Sequence, residues 1–360
     1  MSKNKWLSKA KKEKNDEFYT PYGVIQSELN YYENKFAEKT VLCNCDNPFE
    51  SNFAKFFIRN FNYLKLKRII CTSYAGSPVV GTQMSLFDDY NEPVESDRGY
   101  VLDISSVPMA NGRGVSDDDI STLLHERGIV KRLKGDGDYR SDECLNYLKQ
   151  ADVVVTNPPF SKFREFVKTL FEYNKQFLII GHQNAITYKE IFPLIKDNKM
   201  WLGKPFKGNV GFFKSPYEDV ATASQHKEGL IRVSGVMWYT NLDYKQRHED
   251  LILYKHYLAD DYLKFDNYDA LDVDKTADIP LDYSGNMGVP ITFLDKYSPD
   301  QFEILGITDR QNTSGLRTKK YTADDSKKYN DLNARGVVIK DGKYKAVYAR
   351  ILVRNKKVQE

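Results

Sequence analysis

The chain is poor in the residues that build metal centres and covalent staples. Its 360 residues hold four cysteines and five histidines. Cys43, Cys45, Cys71 and Cys144 form no CxxC pair, and no histidine stands at zinc-ligand spacing from them. HExxH is absent too. No structural metal is expected, and the thiols are read as reduced. Cys43 and Cys45 lie two apart on an expected strand, so one face should carry both. No apolar run reaches the ~18 residues of a membrane span, and no signal peptide is recognisable. The expectation is a cytoplasmic protein with no membrane contact and monomeric in solution. There is no internal repeat. Net charge is only +3, so a partner cannot be read from it. Its distribution says more: six lysines between Lys3 and Lys14 oppose Glu13, and the tail from Arg317 to Lys357 is rich in lysine and arginine. Basic ends suit a phosphate backbone or are simply solvated.

What the chain does have is alternation. Strands are predicted at 40–45, 66–72, 99–104, 127–133, 152–156, 176–181, 199–203 and 232–240. Helices are predicted at 24–38, 52–60, 142–150, 162–173 and 188–197. Ser141 and Glu143 give the third of these a start signal. Strands separated by helices imply a doubly wound α/β fold, with a parallel sheet covered on both faces. Residues 76–98 interrupt the pattern as a polar, Gly/Pro-marked surface insertion. The second half, from about residue 204, is less regular and richer in Tyr, Asp and Gly. We expect one domain over 1–256, with 76–98 as its insertion, and a second region over 257–360 that carries the substrate-specific surface.

The most informative block is Asn157-Pro158-Pro159-Phe160. It follows the β-branched run from Val153 to Thr156, which reads as a buried inner strand. It precedes an amphipathic helix with Phe163, Phe166, Val167, Leu170 and Phe171 at helical spacing. Doubly wound sheets place ligands at such strand–turn–helix junctions. The chemistry that fits is methyl transfer to an exocyclic amino nitrogen. Such a nitrogen is a weak nucleophile because its lone pair is delocalised into the ring. The Asn157 side-chain oxygen and the Pro158 carbonyl can each accept one amino hydrogen, free the lone pair and stabilise the developing positive charge. The prolines stiffen the turn and remove competing donors. Phe160 offers a face for a base, worth roughly 1–3 kcal/mol.

Three further segments can join this turn. Asp16-Glu17-Phe18-Tyr19-Thr20-Pro21 stands before the first long helix. Cys43-Asn44-Cys45-Asp46 ends the first strand, where a carboxylate can meet an ammonium group. In Gly135-Asp136-Gly137-Asp138-Tyr139-Arg140 the glycines admit a ligand close to the backbone. Asp138, or Asp136, can there accept from an adenine amino group. In order and spacing these blocks resemble the EcoRI-type adenine-specific DNA methyltransferases. So do Ala185–Glu190, Thr240–Asp243, Tyr268–Ala270, Met287–Leu294 and Arg350–Lys356.

The resemblance runs nearly end to end. It implies a Rossmann-like methyltransferase fold, S-adenosylmethionine as donor, and the N6 atom of a flipped-out adenine in double-stranded DNA as acceptor. It also implies that Asn157, Pro158, Pro159 and Phe160 are catalytic. Phe18, Tyr19, Thr20, Pro21, Asn44, Asp46, Asp136, Asp138 and Tyr139 would bind the cofactor. The chain departs from methyltransferases at large in lacking a glycine-rich first loop, and no acid follows the second strand. Gln83-Met84-Ser85-Leu86-Phe87 resembles the short peptides that dock on the bacterial β sliding clamp. The competing readings are a catalytically silent DNA-binding or sliding-clamp adaptor, and a methyltransferase acting on a protein or RNA amino group.

Overall fold

Val153, Val154, Val155 and Thr156 are all fully buried, as an unbroken β-branched run inside a sheet should be. The computed structural model describes residues 20–45, 51–75, 98–108, 115–126, 129–206, 210–213, 226–227, 230–310 and 315–359. Phe18, Tyr19, Asp46 and the Gln83–Phe87 peptide lie outside them. The chain divides into two units: Met1–Gln183 with Gly203–Leu242, and Asn184–Leu202 with Asp243–Glu360.

In the first unit the strands are β1 (Thr40–Asn44), β2 (Arg68–Ser73), β3 (Tyr100–Ile104), β4 (Val130–Arg132), β5 (Val153–Thr156), β6 (Gln176–His182), β7 (Val210–Phe213), β8 (His226–Lys227), β9 (Leu230–Ser234) and β10 (Val236–Thr240). Its helices are α1 (Tyr22–Leu29), α2 (Asn52–Arg59), α3 (Asp117–His125), α4 (Asp142–Gln150) and α5 (Phe163–Glu172). Across the main sheet they run β4-β3-β2-β1-β5-β6-β10. The centre, β2-β1-β5-β6, is parallel. Both flanks are antiparallel: β3 to β2, β4 to β3 and β10 to β6. The all-parallel sheet expected from alternation is thus confined to the centre. After β1 the chain steps to β2 on one side and later returns to β5 on the other. That makes the β1/β5 gap a topological switch point.

Local chemistry explains most boundaries. Ser51 caps α2 through its Oγ, and Ser141 caps α4. A capping box of Ser116 and Asp119 starts α3, a helix the periodicity did not predict. The expected 24–38 helix stops at Leu29, and residues 33–35 make a separate 3₁₀ turn. The expected 232–240 strand is two strands, broken at Gly235 (φ +74°). Cys45 does not share the face of Cys43; it lies past the end of β1 in the left-handed region, φ +66°.

The second unit has more order than its composition suggests. It contains α6 (Phe192–Lys196), β11 (Leu263–Lys264), β12 (Leu271–Asp272), β13 (Asn286–Pro290), β14 (Phe302–Ile307), α7 (Tyr329–Leu332), β15 (Val337–Lys340), β16 (Lys343–Ala346) and β17 (Arg350–Asn355). One sheet runs β11-β12-β13-β17-β14, and β15–β16 form a separate hairpin. Arg350 is buried there and pairs with Asp272 at 3.0 Å and Asp274 at 2.9 Å. Arg247 is also buried. Its guanidinium lies 3.9 Å from the Trp201 ring centre and donates to Asn198 at 2.9 Å. It is committed to packing and unavailable to a phosphate.

A buried acid ties α1 to the Gly203–Lys204 segment. Glu28 accepts from Tyr32 Oη at 3.0 Å and from the Lys204 amide at 3.1 Å. A β-carbon on Gly203 would stand 2.2 Å from Glu28 Oε1, so only glycine lets this carboxyl sit there. Burial outweighs these hydrogen bonds and raises the Glu28 pKa from 4.5 to about 8. Between those values the unfolded chain has released a proton that the folded chain keeps. Stability conferred by this site therefore falls as pH rises through that window and levels off above it. Glu28→Gln keeps an acceptor for both donors. The variant should unfold at a higher temperature than the parent at pH 8, with the gap closing toward pH 5. Equal pH profiles in thermal unfolding would contradict this.

Candidate active site

Three strand ends meet at the carboxyl edge of the parallel centre. β1 ends at Asn44, β2 at Ser73 and β5 at Thr156. Thr156 Oγ1 donates to the Asn44 carbonyl across the switch point, inside the core. That bond fixes where β5 ends relative to β1, and Asn157 is the next residue. Asn157 Nδ2 donates to Thr20 Oγ1 at 3.4 Å. Thr20 is buried, and its carbonyl accepts from Asn52 Nδ2 at 2.8 Å. Of the block before the first helix, Thr20 therefore stands against the Asn-Pro-Pro-Phe turn, and Pro21 leads directly into α1.

The Asn-Pro-Pro-Phe turn is stiff for simple reasons. Pro158 is buried and Pro159 half-buried, and neither has an N–H to compete for an acceptor. The Pro159 carbonyl accepts from Lys162 N at 2.9 Å, closing a 3₁₀ turn over Phe160–Lys162 that runs into α5. Phe160 is half-buried, with its ring centre 6.3 Å from that of His182 at 61°. Burial lowers the His182 pKa, so this imidazole is neutral at pH 7. A β-carbon on Gly235 would fall 3.0 Å from His182 Nε2. Sequence reasoning missed His182. Its signal was positional, as the last residue of the strand beside β5.

On the other side of β1, the Gly135–Tyr139 loop is seated on the end of β2. The Ala75 amide donates to the Asp136 carbonyl at 2.7 Å, and the Gly99 amide to the Gly135 carbonyl at 3.0 Å. Gly137 has φ +79°, and a β-carbon there would lie 2.0 Å from the Ser73 carbonyl oxygen. Tyr139 is buried edge-on against Phe166, ring centres 5.0 Å apart, and burial pushes its phenol up. The Asp138 carboxylate is already engaged. Arg140 grips it at 2.9 and 2.6 Å and Lys162 approaches to 3.6 Å. The Arg140 hydrogen bonds hold Asp138 down at about 2. Asp136 is exposed and accepts the Asp138 amide at 3.0 Å. Asp138 thus orders the loop through Arg140, and its two oxygens are not open acceptors.

Among the polar atoms of this region that are buried yet lack a hydrogen-bond partner among the described residues are Asn44 Oδ1, Thr72 Oγ1 and Tyr139 Oη. Asn44 and Thr72 are register partners at the ends of β1 and β2. The thiol of Cys45 is within electrostatic range of the Tyr139 phenol. Leaving such groups unsatisfied costs about 1–3 kcal/mol each. Unsatisfied groups concentrated at one sheet edge beside a glycine-lined loop fit a site that closes on a polar ligand. No group of three His, Cys, Asp or Glu side chains suited to a metal occurs among the described residues.

The geometry can be set beside known proteins. The family model described as adenine-specific methyltransferase EcoRI matches residues 6–356. Type II methyltransferase M.EcoRI of Escherichia coli is 41% identical over 364 residues, covering 99% of this chain and 98% of that protein. M.MgeORF184P of Mycoplasma genitalium is 36% identical over 307 residues, covering 83% of this chain and 85% of that protein. M.MpnI of Mycoplasma pneumoniae is 36% identical over 309 residues, with the same two coverages. No solved structure matches the chain significantly.

The Thr156–Asn44 bond yields a direct test. Thr156→Val keeps the side-chain shape and leaves the buried Asn44 carbonyl without this donor. Urea unfolding should show a loss of about 1–3 kcal/mol. An undiminished stability would mean that the strand ends are held by packing alone.

Proposed function

The chain belongs to the EcoRI adenine-specific methyltransferase family, and on that premise we propose that it transfers a methyl group from S-adenosylmethionine to the N6 amino group of an adenine in double-stranded DNA. The observation that carries the reading is the position of Asn157, one residue beyond the Thr156–Asn44 bond at the switch point. Thr20 takes one hydrogen of the Asn157 amide nitrogen, which orients the side chain. In our reading Asn157 Oδ1 and the Pro158 carbonyl each accept one hydrogen of the target amino group. Both acceptors stand on a proline-stiffened turn and need no reorganisation as charge develops. The target base leaves the duplex at a cost of a few kcal/mol. Stacking on Phe160, steadied by the neutral His182 ring, offsets part of it.

S-adenosylmethionine supplies an electrophilic sulfonium methyl. The residues suited to hold it are Asn44, Thr72 and Tyr139, each with a buried polar atom that has no hydrogen-bond partner among the described residues, with Thr20 and Pro21 beside the turn. Gly135–Gly137 admits the ligand close to backbone. Asp138 contributes by fixing Arg140 and Lys162 around Tyr139. Phe18, Tyr19 and Asp46 complete this set by sequence position. The three relatives are all named Type II methyltransferases, which points to the modification half of a restriction–modification pair.

The test is Asn157→Ala. Losing one preorganised hydrogen-bonding group of this kind costs about two to three orders of magnitude in turnover. Methyl transfer to duplex DNA should fall by that much, while S-adenosylmethionine affinity, measured by calorimetry, stays at the parent value. Turnover within a factor of two of the parent would remove Asn157 from the chemistry. Unimpaired turnover on a protein or RNA acceptor, with none on DNA, would replace the substrate.

A further inference from the structure

The second unit carries one protrusion that the catalytic reading does not use, the hairpin β15–β16. Its base is held on both faces. Val337 packs with Tyr321 and Leu332, and Val338 with Phe265, Tyr268 and Leu352. The Asp266 amide donates to the Val337 carbonyl at 2.7 Å, and the Val337 amide to Asn267 Oδ1 at 2.9 Å. Beyond this base every residue from Ile339 to Lys345 is exposed. The tip turns on Asp341 (φ +52°) and Gly342 (φ +69°), the two positive angles that a tight two-residue hairpin needs.

The register decides what the protrusion presents. Ile339 stands opposite Tyr344, Lys340 opposite Lys343, and Val338 opposite Lys345. Cross-strand partners share a face, and faces alternate along a strand. Ile339 and Tyr344 therefore occupy one face of the tip, and Lys340, Lys343 and Lys345 the other. The Tyr344 face is braced. Its ring centre is 5.2 Å from that of Tyr321, whose hydroxyl donates to Asp266 at 2.7 Å. Lys319 reaches the same carboxylate at 2.7 Å and lies 5.0 Å from the Tyr344 ring centre. On the other face, none of the three lysines has an ion-pair partner among the described residues. Asp272 feels Lys345 but is committed to Arg350 at 3.0 Å.

Like charges directly opposite one another destabilise a strand ladder. The free protein holds Lys340 against Lys343 on an exposed ribbon packed at its base and at Tyr344, an arrangement that a polyanion relieves. Duplex DNA carries one phosphate charge per ~1.7 Å of axis, and its major groove admits a two-stranded ribbon. We propose that the hairpin Val337–Ala346 is a DNA-contacting ribbon, with Lys340, Lys343 and Lys345 on backbone phosphates. The inference rests on DNA being the substrate. Contacts of this kind position the protein on the duplex and carry no base preference themselves. Because the ribbon is braced through Tyr344, little freedom is lost when it binds.

Salt dependence of duplex binding by the full-length protein tests this. The variant is Lys340→Gln/Lys343→Gln/Lys345→Gln, compared with the parent and with Lys327→Gln/Lys328→Gln, two exposed lysines off the hairpin. The slope of log affinity against log salt should flatten by about 2.7 in the triple variant, from ~0.9 per phosphate contact. The control should keep the parental slope. The triple variant should unfold close to the parental temperature, since it sheds the Lys340–Lys343 repulsion and, on the attractive side, the pull of Lys345 on an Asp272 already paired with Arg350. An unchanged slope in the triple variant, or an equal flattening in the control, overturns the proposal while leaving the substrate intact. A parent that binds no DNA overturns the substrate reading, and the hairpin's role with it.

Discussion

The hydrogen bond from Thr156 to the Asn44 carbonyl is the constraint on which the rest of the first unit depends. It spans the point where the chain's strand order reverses, so no helix or turn links the two strand ends locally. Their relative height is set by this bond, by the short parallel ladder of Val41 with Val153 and Leu42 with Val154, and by the Asp152 amide and carboxylate on Thr40 at 2.9 and 2.8 Å. One residue later come the amide of Asn157 and the carbonyl of Pro158, the two acceptors of the proposed reaction. The prolines at 158 and 159 carry the restraint outward, because their φ angles are fixed and neither has an N–H to donate to an alternative turn.

Around this tie the unit uses close backbone approaches to set the site's shape. Gly137 lets the Tyr139 loop lie on the end of β2, where a β-carbon would collide with Ser73. Gly181 lets the Phe163 and Tyr239 rings pack onto β6; a β-carbon there would fall 2.5 Å from Phe163. Those two rings, 4.9 Å apart, back the start of the helix that follows the Asn-Pro-Pro-Phe turn. Past β1 the chain turns at Cys45 in a left-handed conformation, which costs a residue with a side chain about 1–3 kcal/mol. Many methyltransferases place glycine in this loop. Here the strained conformation is kept without it, next to the buried polar atoms of Asn44 and Tyr139. Strain and unsatisfied polar groups at one strand edge are what a site looks like when ligand binding completes it.

Much of this was legible in the residues. The valine run named the inner strand, and Ser141 marked the start of α4 at its actual first turn. The Asn-Pro-Pro-Phe turn lies at the strand end that its flanks implied. Strand direction was not legible, because β3 and β10 have the same apolar composition as their parallel neighbours and differ only in which way the chain enters them. Helix α3 was missed because its apolar face is just Ile120, Leu123 and Leu124, although Ser116 and Asp119 spelled its capping box. The sheet of the second unit was hidden by two-residue strands and by a proline and a glycine in β13. Asp138 read as an open acceptor because a sequence does not show that Arg140, two residues on, folds back to take its oxygens. His182 has no motif at all, and only the sheet order brings it to Phe160.

The central claim is that this turn methylates adenine in DNA, and modification mapping addresses it most directly. Unmethylated genomic DNA would be incubated with the protein and tritiated S-adenosylmethionine, then sequenced by a long-read method that registers base modification. The account predicts label in DNA, recovered as N6-methyladenine at a single recurring sequence. Label absent from DNA while the protein still binds the donor, or methyl groups on cytosine, would contradict it.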